Sequence, residues 1–358
     1  MLQQWSLELD PIFEPLAAAD SFSGVALLEQ GGVERYARAF GPATRAWPVP
    51  NIIETRFDVA SVTKLFTAVA TLQLIERGQL SFDTRAMPTL GIVGTAISDD
   101  VTVEQLLTHT SGIGDDADEE AGERYEDVWR DRPNYSVTTT EAFLPQFISK
   151  PPNFAPGQGA RYCNVSYVLL GLLIERAIGR SYREYILEHV FALCGMTQSG
   201  FFRMDQAAAD VAEGWDPLVD PRGARAGWRR NIYSYPPIGS PDGGAHVTAR
   251  DLTRFFAALR FGKLLGPELT AAFFVSRTSA RATSNGQLSY GYGLQFYHDD
   301  AGELLFFEKD GSNAGVSALL RHWPRQDITL VLLSNMADGA WEPARAIRDF
   351  VATLLPKT

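Results

Sequence analysis

The 358-residue chain predicts an α+β fold. One antiparallel sheet is assembled from both ends of the polypeptide and flanked by helices, and a mainly helical lobe is inserted between the two contributions. Three observations lead there. β-rich runs lie near the start, helical periodicity and long loops fill the middle, and β-rich runs return near the end. The pattern sets boundaries at 1–79 and 246–358 for the sheet lobe and at 80–245 for the helical lobe. Small-molecule sites collect in clefts between such lobes.

The elements follow in order. Residues 22–29 and 33–40 are β-rich and are joined through Gln30-Gly31-Gly32, which reads as a hairpin turn. Over 61–77, Leu65, Val69, Leu72 and Ile75 recur at helical spacing, and Gly78 follows as a stop. Further helices are expected over 103–108, 140–149, 165–178 (stopped by Gly179) and 182–193. Strands are expected over 291–297, 304–309, 317–323 and 328–333, and a last amphipathic helix over 343–355.

Composition excludes several classes. The net charge is −11, from 32 Lys and Arg against 43 Asp and Glu. That argues against binding a nucleic-acid backbone, which needs basic patches. The most continuous apolar stretch, 165–174, falls well short of the roughly 20 residues that span a bilayer, so no membrane insertion is expected. The first residues show no basic region, unbroken apolar core or cleavage site of a secretory signal, which favours a cytoplasmic location. If the sequence begins inside a longer protein, a periplasmic or secreted location stays open. Cys163 and Cys194 are too few for a disulfide scaffold and lack zinc-site spacing. The five histidines are scattered with no HExxH pair, so neither a metal nor another cofactor is expected. The oligomeric state is not encoded in any of these features.

Three short elements carry chemistry. Ser61-Val62-Thr63-Lys64 opens a predicted helix and places Ser61 and Lys64 on one face within a turn. A serine hydroxyl is a weak nucleophile until a neighbour takes its proton, and a lysine of lowered pKa can do so. The helix N-terminus adds positive potential where an oxyanion would form. The bland alternative is a polar helix start with a solvated lysine. Arg161-Tyr162-Cys163-Asn164 precedes another helix. Tyr162 can shuttle protons if nearby ammonium groups depress its pKa, and Asn164 can bond a substrate amide or the lysine. Here the alternative is a buried tyrosine beside an N-capping asparagine. In Glu308-Lys309-Asp310-Gly311-Ser312, at a predicted strand end, Lys309 can set the local electrostatics and Gly311 can let a substrate approach the backbone.

With these elements in this order, the sequence resembles the serine β-lactamase and penicillin-binding-protein superfamily. It is most similar to the branch of class C β-lactamases, D-aminopeptidases and β-lactamase-like esterases. The resemblance covers about 22–333. Besides the three elements it rests on His109-Thr110-Ser111-Gly112-Ile113, Gly243-Gly244 before Thr248-Ala249-Arg250-Asp251-Leu252, and Tyr290-Gly291-Tyr292-Gly293. It implies Ser61 as the acylated nucleophile, Lys64 as base or proton relay, and Tyr162 as the tyrosine that activates serine and later water. Asn164 would orient substrate, Lys309 would be the third-motif lysine, and the N–H groups of Ser61 and Ser312 would form the oxyanion hole. The formal base, Lys64 or Tyr162, stays open.

Some features depart from that pattern. Asp310 stands where β-lactamases usually carry a small hydroxyl residue that helps hold the β-lactam carboxylate. An anion there repels another anion unless it points away or pairs with Lys309. Cys163, between tyrosine and asparagine, is expected to be packing. Residues 115–120 form an acidic run that reads as a solvated surface loop, or else as a mobile rim disfavouring anionic substrates. Trp215, Trp228, Tyr233 and Tyr235 either wall an acyl pocket or pack the core. The expected activity is serine hydrolysis of small esters or amides through an acyl-enzyme. The alternatives are a β-lactamase or D-alanyl-D-alanine carboxypeptidase, and a non-catalytic sensor on the same fold. No G-x-S-x-G elbow supports an α/β-hydrolase triad.

Overall fold

The computed structural model describes residues 2–354 other than 280 and 285. Residue 355, where the sequence reading ends the last helix, lies outside them. Among the described residues eight strands form one antiparallel sheet. They are β1 (Gly24–Gln30), β2 (Val33–Phe40), β3 (Arg281–Thr283), β4 (Gly286–Tyr290), β5 (Gln295–His298), β6 (Leu304–Asn313), β7 (Val316–Trp323) and β8 (Ile328–Ser334). Their spatial order is β2-β1-β8-β7-β6-β5-β4-β3. The amino-terminal hairpin therefore joins the carboxy-terminal strands through β1 against β8, with Gly24 opposite Ser334 and Gln30 opposite Ile328. Gly31 and Gly32, at φ 59° and 72°, make the two-residue turn the hairpin reading expects.

Side-chain alternation decides what each face of the sheet meets. Ala26 and Leu28 of β1 with Leu330 and Leu332 of β8 pack under the first and last helices, α1 (Leu2–Ala18) and α5 (Trp341–Thr353), through Leu9, Phe13, Ile347 and Val351. Val25, Leu27, Val331 and Leu333 face the larger core. There α2 (Lys64–Glu76), α3 (Val165–Ile178) and α4 (Ala249–Arg260) converge. Helix α2 is central: Phe66 meets Phe191 and Phe255 edge-on at centroid distances of 4.9 and 4.8 Å. Every residue of α2 from Lys64 to Leu74 is buried. A lysine within such a run has no solvent to hold its charge, which is the physical premise of the site.

Several elements differ from expectation. The helix expected from Ser61 begins as a 3-10 turn, Ala60–Thr63, before α2. Residues 141–146 form only a 3-10 segment, since Pro145 lies inside it and cannot donate to a helical ladder. Over 182–193 the helix widens into a π-turn at Leu187–Phe191. Of the strand expected over 291–297, residues 295–297 lie in β5, whereas 291–294 form a tight turn between β4 and β5, where Gly291 N–H bonds the Leu294 carbonyl at 2.9 Å. Helix α1 had no counterpart in the sequence reading, because Pro11 and Pro15 lie within it and read as breakers. No helix among the described residues is long and apolar enough to cross a membrane.

Candidate active site

The 3-10 turn ahead of α2 brings Ser61, half-buried, against β6, an inner strand of the sheet. Lys64, one turn later, is fully buried. Its Nζ donates to Ser61 Oγ at 2.9 Å, to Asn164 Oδ1 at 2.8 Å and to the Asp242 carbonyl oxygen at 2.7 Å. Those three acceptors fully use a lysine's donors. Burial, reinforced by Lys309, pushes the ammonium down to about 8, against the pull of Asp242, Glu119 and Asp115. The solvated-lysine alternative is thereby excluded.

Asn164 stands at the N-cap position of α3, yet its side chain does not cap the helix. Its amide oxygen goes to Lys64 and its Nδ2 donates to Glu119 Oε1 at 3.0 Å. The capping falls to Asp115, whose carboxylate accepts the N–H of Asn164 at 2.8 Å and of Val165 at 3.0 Å. A carboxylate there meets the positive end of the helix. The expected solvated acidic loop is thus corrected: Asp115 and Asp116 are buried, and Asp118 is gripped by Arg161 Nη2 at 2.6 Å from both of its oxygens. Glu119 and Glu120 alone of that run line the cleft at Ser61.

Tyr162, half-buried, sets its hydroxyl against Ser61. Lys64 Nζ lies 5.1 Å and Lys309 Nζ 4.9 Å from its ring centre. The sequence reading made proton shuttling by the phenol conditional on its being depressed by such ammonium groups. Burial and the carboxylates of Glu119 and Asp310 outweigh them and raise it well above its ordinary value. His109 supports the ring at a centroid distance of 4.6 Å and accepts the Cys163 N–H on Nδ1 at 3.1 Å. Burial first, then Lys64 and Lys309, holds this imidazole well below its usual range, hence neutral. Cys163 is buried packing, as expected.

Strand β6 completes the cluster. Lys309, 2% exposed, donates to Asp310 Oδ1 at 3.1 Å. Burial alone would raise the Asp310 carboxyl, but the adjacent Lys309 outweighs it and keeps it ionised below the ordinary value. The paired arrangement, which the sequence left as one of two escapes from repulsion, is the one present. Gly311 is where β6 crosses the Ser61 turn. A Cβ there would sit 2.2 Å from the Val59 carbonyl oxygen and 2.9 Å from the Ser61 amide nitrogen. Gly311 therefore packs against the backbone of the Ser61 turn. Gly311→Ala is expected to push β6 off Ser61, costing about 1–3 kcal/mol of stability and slowing turnover more than tenfold; urea denaturation and ester kinetics check both.

Two pockets meet at Ser61 and Ser312. One is bounded by Tyr162, Lys309, Tyr290 and Arg281, the other by Asn164, Tyr125, Tyr235 and Asp242. Of the four aromatics proposed as an acyl wall, Tyr235 lines the second pocket. Tyr233 is exposed, and Trp228 lies under the Arg45 guanidinium at 3.5 Å. Sequence reasoning missed Asp242, which acts through its backbone carbonyl, and took Asp115 only as part of an acidic run, not as the cap of a distant helix. The turn residues Ser240-Pro241-Asp242-Gly243-Gly244 were the one available signal.

The family described as Beta-lactamase matches residues 9–352, and the chain belongs to that family of serine hydrolases. Among its relatives, esterase EstB of Burkholderia gladioli is 30% identical over 284 residues, covering 74% of this chain and 72% of that protein. Penicillin-binding protein 4* of Bacillus subtilis (strain 168) is 26% identical over 352 residues, covering 94% and 73%. The crystal structure of a penicillin binding protein from Bacillus halodurans superimposes with a TM-score of 0.86 at 36% identity, covering 96% of this chain and 99% of that one.

Proposed function

We propose that the chain hydrolyses small esters or amides through an acyl-enzyme on Ser61, in the cleft between segment 80–245 and the sheet-bearing remainder. The observation that carries this is the buried Lys64 ammonium, 2.9 Å from the Ser61 hydroxyl and pushed down to about 8. Once deprotonated, Lys64 accepts the Ser61 proton while Oγ attacks the substrate carbonyl. The oxyanion is received by the N–H groups of Ser61 and Ser312. Lys64, now protonated, returns that proton to the leaving group through the Tyr162 hydroxyl, which burial and nearby carboxylates keep neutral, and the same hydroxyl aligns water for deacylation. Asn164 positions Lys64 and presents its amide to substrate, and Lys309 supplies positive potential.

The charge arrangement bears on the substrate. Lys309 is already paired with Asp310, and Glu119 faces the same cleft. A substrate carboxylate there competes with Asp310 for its lysine, whereas a neutral ester or a substrate with an amine near the scissile bond does not. This supports the ester reading, and EstB, by its name an esterase, is in keeping with it. The second reading, a β-lactamase or D-alanyl-D-alanine carboxypeptidase, is favoured by the likeness to penicillin-binding proteins. Parallel assays with p-nitrophenyl butyrate, a D-amino-acid p-nitroanilide and a chromogenic cephalosporin separate the two. Ester or anilide turnover with little cephalosporin cleavage supports the proposal; fast cephalosporin turnover overturns it in favour of the second reading. Tyr162→Phe is expected to slow acylation by about 10²–10⁴-fold, read as the pre-steady-state burst rate; a rate near wild type removes the phenol from the mechanism.

A further inference from the structure

The turn ahead of Ser61 is held in a conformation that its residue disfavours. Ala60 has φ +41°, in the left-handed region that penalises a side chain with a Cβ. Its N–H donates to Asp58 Oδ1 at 2.7 Å, and its carbonyl accepts the Gly244 N–H at 3.3 Å. The Tyr235 hydroxyl is set against the same Asp58 carboxylate. That hydroxyl accepts from Asn231 Nδ2 at 2.6 Å, and Nδ2 also donates to the Ala314 carbonyl at 2.8 Å. Ala314 begins the two-residue turn between β6 and β7, just after Ser312-Asn313. Packing repeats the connection: Ala60, Tyr235 and Val316 form a small buried cluster separate from the two cores. Asn134 Nδ2 fixes the main chain that carries the tyrosine, donating to the Tyr235 carbonyl at 2.6 Å and to that of Ile232 at 2.8 Å.

We infer that Asn231, Tyr235 and Asp58 form a positioning chain that ties the nucleophile turn to the β6–β7 turn and so aligns the Ser61 and Ser312 N–H groups as one pair. The inference rests on the reading of those two groups as the oxyanion donors. They come from a helix start and a strand end far apart in sequence, and nothing in either element alone sets their separation. Donors stabilise a developing oxyanion only when aimed before the reaction at the place it will occupy. The chain spans both arms: its Asp58 end holds Ala60 in the conformation that turns the next N–H toward the cleft, and its Asn231 end holds the carbonyl after Ser312-Asn313. Asp58 and Tyr235 also line the pocket beside Asn164, and the chain acts on the oxyanion through the donors it positions.

The test compares variants on p-nitrophenyl butyrate, with phenylboronic acid as a tetrahedral analogue and a thermal melt for each. Tyr235→Phe keeps the ring between Ala60 and Val316 and removes the hydroxyl. It is expected to lower kcat by about 10–100-fold, a fraction of the loss on removing a whole donor. KM should stay within about twofold, while boronate affinity falls by the same factor as kcat. Asp58→Ala should lose more, and Asp58→Asn, which keeps an oxygen for the Ala60 N–H, should retain most activity. Adding Ala60→Gly to Asp58→Ala should restore turnover in part, because glycine adopts positive φ without strain. Unchanged kcat and boronate affinity in Tyr235→Phe and Asp58→Ala would overturn the inference. So would equal losses in Asp58→Ala and Asp58→Asn that follow a lowered melt and resist Ala60→Gly. A fluorophosphonate adduct mapped by mass spectrometry separates the two levels. An adduct on Ser61 with unaffected variants overturns the positioning chain alone; an adduct elsewhere overturns the Ser61 reading and the chain with it.

Discussion

Ser61→Ala is expected to lower ester turnover by a factor on the order of 10⁶, to the background left by binding and oxyanion contacts. The fold should barely notice. Ser61 is half-buried, and its hydroxyl meets Lys64 and the Tyr162 hydroxyl, contacts that contribute about 0.5–1.5 kcal/mol each. Lys64 keeps its bonds to Asn164 and to the Asp242 carbonyl. Turnover of p-nitrophenyl butyrate beside a calorimetric melt checks both halves. A variant that melts far lower yet still turns over would show that Ser61 is structural and the nucleophile lies elsewhere.

The second large effect concerns Lys64 and pH. Its folded-state pKa lies at about 8, below the ordinary 10.5, mainly through burial. If the neutral amine is the base, kcat/KM is low where Lys64 is charged and rises as pH increases through about 8. Lys64→Arg places there a cation that does not deprotonate in this range, so it should abolish that rising limb together with at least about 10³-fold of the rate. The check is a pH–rate profile from 6 to 10 for both proteins. A wild-type limb centred near 6 would point to a different group, and undiminished activity in Lys64→Arg would remove the lysine from proton transfer. The raised phenol of Tyr162 predicts no contribution from its ionisation below pH 10.

Much of this molecule is legible in sequence because its signals are local. The three-residue spacing of Ser61 and Lys64 becomes one turn of backbone, whatever the surroundings. Gly31-Gly32 requires a tight turn, and the alternating and continuous apolar runs of β1, β7 and β8 require a sheet covered on both faces. Helix α1 escaped notice because two prolines outvoted its apolar face, and docking through Leu9 and Phe13 compensates for the lost backbone bonds. The acidic run was misjudged for a related reason. Charge predicts exposure until a partner is supplied, and the N–H groups of α3, the partners of Asp115, lie about 50 residues away.

By itself the sequence determined most of the order of elements, the serine–lysine spacing, the tyrosine–asparagine and lysine–glycine elements and the family they define. Each is a pattern of neighbours along the chain. Tertiary structure alone decided how these groups are charged and aimed. The burial of Lys64 within α2 brings its pKa within reach of neutral solution, while burial and the carboxylates of Glu119 and Asp310 keep Tyr162 protonated. The pairing of Lys309 with Asp310 and the bonding that bridges Asp58, Tyr235 and Asn231 depend likewise on side-chain placement across the fold. Desolvation and through-space charge depend on what surrounds a group in three dimensions, and residue order along the chain does not specify that.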